Sequence, residues 1–145
     1  LRRILRWADP RLRPDVAIVL VDQDGDVDRR SMLSACIANP PQVIPVVLGV
    51  AVEEFEAWLI ADHAAVTRLD AHVELQEDPW PKTETMRPRH AKELLGRLVE
   101  GSERGASTPD LRLELVRAMD LNRARESSRS FDRFLTDLKQ AGARP

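Results

Sequence analysis

Apolar positions change their period several times along this chain, and each change marks an element. Val16 to Val21 is an unbroken apolar run, the pattern of a strand buried on both faces of a parallel sheet. Asp28 to Ala38 switches to a helical period, with Met32, Leu33, Cys36 and Ile37 on one face. Asn39-Pro40-Pro41 ends that helix, because a residue before proline avoids the helical region. Val43 to Ala51 is the second strand, again apolar on both faces. A strand, helix, strand order with short joints predicts a right-handed βαβ unit and a parallel strand pair.

The rest of the chain reads as helical. Glu53 to Ala61 carries a core stripe of Phe55, Trp58 and Leu59, and His63 to Leu69 continues in the same manner. Asp70 to Pro88 has no period and holds Pro79, Trp80, Pro81 and Pro88, which predicts a long loop or lid. Arg89 to Val99 is amphipathic, with Ala91, Leu94, Leu95 and Leu98 inward. Ser107-Thr108-Pro109-Asp110 combines a capping residue, an early proline and an acid near the positive dipole end, a strong helix start. The last helix begins at a cap on Ser127 or Ser128. Phe131, Phe134, Leu135 and Leu138 form its apolar face, and Gly142 closes it. Before these, Leu1 to Ala8 reads as a short helix followed by a loop at Pro10 and Pro14. The expectation is one α/β domain over 1–145: an α/β part at 1–62, a loop or lid at 63–88 and a helical part at 89–145.

Composition narrows the class. The 145 residues are 43 % hydrophobic and 32 % charged, enough for one domain with a real core. No apolar stretch approaches the roughly 20 residues that span a membrane, and the Arg-rich first residues lack a signal-peptide pattern. The chain opens at Leu1 rather than Met, so a trimmed amino terminus is expected. The single cysteine, Cys36, excludes an internal disulfide and suits a reducing cytoplasm. The net charge of −2 conceals segregation: +4 over residues 1–14, −10 over 15–81 and +4 over 82–145. A negative centre between positive ends fits a metal site beside a phosphate-binding surface, though an uneven solvated surface has the same signature.

The negative centre has structure of its own. The first strand ends in Asp22, Asp24, Asp26 and Asp28, at alternate positions. In extended chain, residues two apart share a side, so Asp22 and Asp24 can face one ion. The carboxyl edge of a parallel sheet is where ligands bind, and Mg²⁺ takes one or two protein carboxylates there, with water and phosphate completing its shell. Gly25 lets the chain turn sharply. The second strand ends just before Glu53-Glu54-Phe55-Glu56, and Glu53 and Glu56 would share a helix face. Two carboxylate pairs could hold one or two metals and activate water for attack on a phosphodiester. The plainer reading is that Glu53 and Glu54 serve the helix dipole and that Asp26 and Asp28 cap the next helix. An EF-hand loop is excluded, because its sixth and twelfth positions fall on Val27 and Leu33. A haloacid-dehalogenase-like phosphatase, with Asp22 as nucleophile and Asp24 as acid, stays as an alternative.

The run Val-Leu-Val-Asp22-Gln-Asp24-Gly25, followed by Glu53-Glu54-Phe55-Glu56-Ala57-Trp58-Leu59-Ile60-Ala61-Asp62, resembles the small TOPRIM-like proteins gathered as domain-of-unknown-function family 4276. Pro81-Lys82 and Ser130-Phe131-Asp132-Arg133-Phe134 are similar to that family's C-terminal part. The resemblance covers roughly Val16 to Leu138. It extends to the nuclease half of overcoming-lysogenization-defect proteins, some of whose relatives stand beside ABC-type ATPases in phage-defence loci. The resemblance implies a TOPRIM/Rossmann-like, mostly parallel sheet flanked by helices, with a helical C-terminal part. It implies that Asp22 and Asp24 are the paired metal-binding aspartates and Glu56 the glutamate of a Glu-x-Trp motif. TOPRIM domains carry a further glutamate after an earlier strand, and no Glu precedes Asp22 here.

The functional expectation is therefore a Mg²⁺- or Mn²⁺-dependent nuclease acting on nucleic acid, DNA ahead of RNA. Catalysis falls to Asp22, Asp24 and Glu56, and metal binding to Asp22, Asp24, Asp26, Glu53 and Glu56. Lys82, Arg87, Arg89, His90 and Lys92, at or near a helix start, are the phosphate contacts. An ABC-type ATPase or a second copy of the chain is the expected protein partner, with no membrane role. The rival from another class is a non-catalytic ATPase partner that docks through the acidic edge. Trp58 is expected in the core and Trp80 on a partner or stacking surface. His63 is weighed as a general acid against ordinary packing.

Overall fold

A computed structural model describes residues 15–38, 44–52, 54–69, 82–101 and 108–142. The predicted parallel pair is present. Strand β1 (Ala17–Asp22) runs beside β2 (Val46–Ala51), with Ala17 opposite Val46 and Asp22 opposite Ala51. Helix α1 (Arg29–Ala38) makes the crossover between them. These are the only strands among the described residues, so the fold is α/β with a small parallel sheet and is mostly helical. The expected helix at Leu1 to Ala8 and most of the expected loop, with Trp80, lie outside the described residues.

The helices follow β2 in order: α2 (Phe55–Leu59), α3 (His63–Leu69), a 3₁₀ turn at Thr83–Thr85, α4 (His90–Gly101), α5 (Thr108–Ala118), α6 (Leu121–Ser127) and α7 (Arg129–Gly142). All four predicted inward residues of α4, Ala91, Leu94, Leu95 and Leu98, are buried. Helix α5 starts at Thr108, as the capping pattern requires. The Ser128 hydroxyl accepts the Phe131 N–H at 3.3 Å, which selects Ser128 over Ser127 as the cap of α7. Helix α6 carries no strong apolar stripe. Its start rests on Asp120, whose carboxylate accepts the N–H groups of Asn122 and Arg123.

Two apolar clusters meet at α2. Ala57, Leu59 and Ile60 join Val66, Leu94, Leu98 and Leu115 in a helical core. Trp58 and Ala61 join Val47, Phe131 and Phe134 in a second core between β2 and α7. The Trp58 ring lies 5.4 Å from Phe134 and 5.3 Å from Phe131. Its indole N–H donates to the Ser130 hydroxyl at 2.9 Å, so this large apolar side chain is buried without orphaning its polar atom. Gly49 is what allows that approach: a Cβ there would come 3.0 Å from both Trp58 and Phe134.

Three expectations about burial need correction. β1 is not buried on both faces, since Ile18 and Leu20 are 49 % and 46 % exposed. Helix α7 lies over β2, and among the described residues β1 pairs on one side only. Helix α1 buries no residue fully, with Met32 and Cys36 exposed. Phe55 is partly exposed at the start of α2, while Trp58 and Leu59 carry the stripe inward.

Candidate functional site

β1 delivers its aspartates into a tight turn. The Asp26 N–H donates to the Gln23 carbonyl at 3.0 Å. Between them Asp24 and Gly25 have φ of 51° and 73°, the positive pair that Asp-Gly sequences favour. The turn folds Arg29 back over the strand end. Its guanidinium donates to the Asp22 carbonyl at 2.6 Å and to Asp24 Oδ2 at 2.9 Å, and lies 3.7 Å from Asp26 Oδ2. Asp26 also accepts the Asp28 N–H at 3.1 Å, and the Asp28 carbonyl receives Met32 N–H. Asp26 thus braces the turn that leads into α1, and Asp28 contributes its backbone carbonyl to the first turn of that helix.

The second carboxylate pair reaches the same edge. The Phe55 N–H donates to Asp22 Oδ1 at 2.7 Å, so Asp22 ties the end of β1 to the start of α2. Glu54 is extended at φ −141°, ψ 146° and does not cap its own helix. Its side chain turns inward beside that of Glu56, and the two are 5 % and 6 % exposed. Helix α2 begins at Phe55, and Glu53, expected to share a helix face with Glu56, lies outside the described residues. The glutamate that accompanies Glu56 is Glu54.

Buried carboxylates need paired charge, and the later helices supply it. From α4, Lys92 Nζ stands 3.0 Å from Glu54 and 3.9 Å from Glu56, and its backbone N–H donates to Glu54 at 3.3 Å. From α5, Arg112 donates to Glu56 at 2.5 Å. The hydrogen bond to Glu54 is the largest influence on Lys92 and raises its pKa; burial opposes it, and the charges of Glu56, Glu54 and Asp22 add to the rise. Lys92 thus ties α4 to both glutamates at the start of α2, and the Phe55 amide ties Asp22 to the same segment.

Carboxylate oxygen is the right donor for Mg²⁺ or Mn²⁺, but the arrangement does not suit either ion as it stands. Among the described residues, no three His, Cys, Asp or Glu side chains form a group able to hold a metal. Arg29 holds Asp24; Lys92 and Arg112 hold Glu54 and Glu56; and the Phe55 amide holds Asp22.

A family model matches residues 4–139, nearly the whole chain. The chain belongs to the domain-of-unknown-function family DUF4276. No curated protein and no solved structure matches it.

The predicted phosphate contacts of this DUF4276 chain fall into two groups. Arg89, at φ 65°, and Lys92 line a pocket of about 340 Å³ with Asp24, Gly25 and Glu54. Arg87 is committed to Glu93 through paired contacts, which hold the Glu93 carboxyl below its usual range. Lys82 is exposed beside the 3₁₀ turn, and His90 opens α4. His63 opens α3, where its carbonyl accepts the Thr67 hydroxyl. Sequence reading missed Glu84. Its carboxylate accepts the N–H groups of Arg129 and Ser130 at 2.9 Å each, and the hydroxyls of Ser128 and Ser130. No local pattern could have revealed this, because Glu84 caps a helix 45 residues downstream.

Proposed function

We propose that this DUF4276 chain is a nuclease-like protein of the TOPRIM-like kind, acting on nucleic-acid phosphodiesters with Mg²⁺ or Mn²⁺ and working beside an ABC-type ATPase. The observation that carries the reading is the Asp22 to Phe55 hydrogen bond, which brings Asp22 and Asp24 to the edge that also holds Glu54 and Glu56. Carboxylates gathered where a parallel strand ends match the place of ligand chemistry in α/β sheets. The arrangement described is then the internally neutralised form of the site. Arg29 and Lys92 hold the acids in place, and a divalent ion would have to take their position.

The test is supercoiled plasmid with Mn²⁺, incubated with wild-type protein and with Asp22→Asn. The reading expects nicking by the wild type and none by the variant. Equal nicking by both, or none by either, overturns it.

A second reading has an observation in its favour. Each described carboxylate of the edge already has a partner within the chain, as a stable surface would need and an open metal site would not. In that reading the chain is a non-catalytic partner of an ATPase and docks through this face. It would show no nicking and no melting response to Mn²⁺.

A further inference from the structure

A cavity of about 520 Å³ opens beside the acidic edge, lined by Gln23, Val52, Arg30, Arg129, Ser130 and Arg133 among others. Gln23 and Val52 follow directly on β1 and β2, so the cavity sits at the carboxyl end of the sheet, where parallel α/β folds bind ligands. Three arginines from two helices face it, and the acids in its wall are engaged elsewhere. Glu84 is held by four donors at the start of α7, and Asp132 accepts from Arg125 at 2.5 Å. Arg30 donates to Asp137 at 3.0 Å and toward the Leu48 carbonyl at 3.4 Å. Arg129 and Arg133 stand one turn apart on α7, are exposed, and make no ion pair among the described residues.

The uncommitted charge of this cavity is therefore positive. Burial, then the charge of Arg133, also lowers the Arg30 pKa below its ordinary value, although Asp137 opposes the shift. Crowded cations beside apolar walls focus a positive potential, and guanidinium forks match phosphate oxygens. The amides at the start of α7 are occupied by Glu84, so side chains would make the contact.

We propose that this cavity is an anion site that seats a phosphate of a nucleic-acid strand, with Arg129 and Arg133 as its contacts and Arg30 behind them. This deepens the nucleic-acid reading above and rests on it for the carrier of the phosphate. Gln23 lies between Asp22 and Asp24, so a strand held here passes beside the acidic edge. The predicted contacts Arg89 and Lys92 lie at a separate pocket of that edge.

The experiment is fluorescence anisotropy of a labelled single-stranded DNA oligonucleotide with the full chain, in EDTA, over a series of NaCl concentrations. Arg129→Gln/Arg133→Gln should weaken binding about tenfold and flatten the salt slope by about 1.4, the loss of two single-strand phosphate contacts. Arg117→Gln/Arg123→Gln removes the same charge from exposed positions elsewhere, and should change affinity by less than about twofold. If the site pair folds poorly, Arg133→Gln alone should give about half the slope change. Unchanged affinity in the site variants, or an equal loss in the control pair, overturns the cavity while leaving the plasmid result free to stand. Release of the oligonucleotide by excess ATP overturns the assignment to a strand in favour of a free nucleotide. No binding by the wild type overturns both the cavity and the nucleic-acid reading.

Discussion

The Asp22 carboxylate and the Phe55 amide, 33 residues apart, are joined by a 2.7 Å hydrogen bond. One side chain thereby serves both as the end of a strand and as the missing cap of the following helix, since Glu54 leaves that role unfilled. Asp22→Ala should lower stability by about 0.5–2 kcal/mol, the usual cost of losing such a cap. Asp22→Asn keeps an oxygen acceptor and should cost less. Urea unfolding of the three proteins would show that order, and an Asn variant as unstable as the Ala variant would contradict it.

Lys92 gives the edge a signature at alkaline pH. Its folded pKa is raised above the ordinary 10.5, chiefly by the hydrogen bond to Glu54. The stabilisation is therefore fully present below about pH 10.5 and is lost as pH rises through the folded value. The melting advantage of wild type over Lys92→Met should be level from pH 8 to 10 and shrink above that. Half-exposure of the Lys92 side chain keeps the effect modest. An advantage that grows with alkaline pH would contradict the pairing.

Gly49 lies under the Trp58 and Phe134 rings, and an added methyl would also approach Leu20 Cδ2 at 2.4 Å. The Leu20 tip can swing toward solvent, whereas the two buried rings are fixed by one another. Gly49→Ala should cost about 1–3 kcal/mol by overpacking. A melting temperature equal to wild type would show that the β2–α7 core has slack.

How much of this was legible in the sequence depended on how local each signal was. The βαβ unit, the α4 stripe and the α7 face follow from apolar periods within a dozen residues, and they are present. The inward face expected for α1 is only half formed, because burial of Leu33 and Ile37 depends on what covers the sheet rather than on the period. The abrupt end of the apolar run marked Asp22 as a strand end, but the extended-chain pairing with Asp24 was not to be had from it, because Asp24 sits at φ 51° in the turn that follows. The role of Glu54 was not legible, because it depends on α2 starting at Phe55, two residues later than the pattern suggested. Lys92, Arg112 and Glu84 act across 38, 56 and 45 residues, and no spacing rule reaches that far.

Arg29 competes with any divalent ion for Asp24. Arg29→Gln should therefore tighten Mn²⁺ binding, by at most about fivefold given the value of a partly exposed ion pair. Isothermal titration of both proteins would measure the ratio, and weaker binding by the variant would mean that Arg29 organises the site rather than closing it.

The most direct test of the proposed metal-dependent edge is a thermal melt of the wild type across a Mn²⁺ series, beside Asp22→Asn. A ligand that binds only the folded chain must raise its melting temperature as concentration passes the dissociation constant. The account predicts a concentration-dependent rise for the wild type and a flat response for Asp22→Asn. A wild-type melting temperature indifferent to Mn²⁺ would contradict it, leaving Arg29, Lys92 and Arg112 as the permanent partners of these carboxylates.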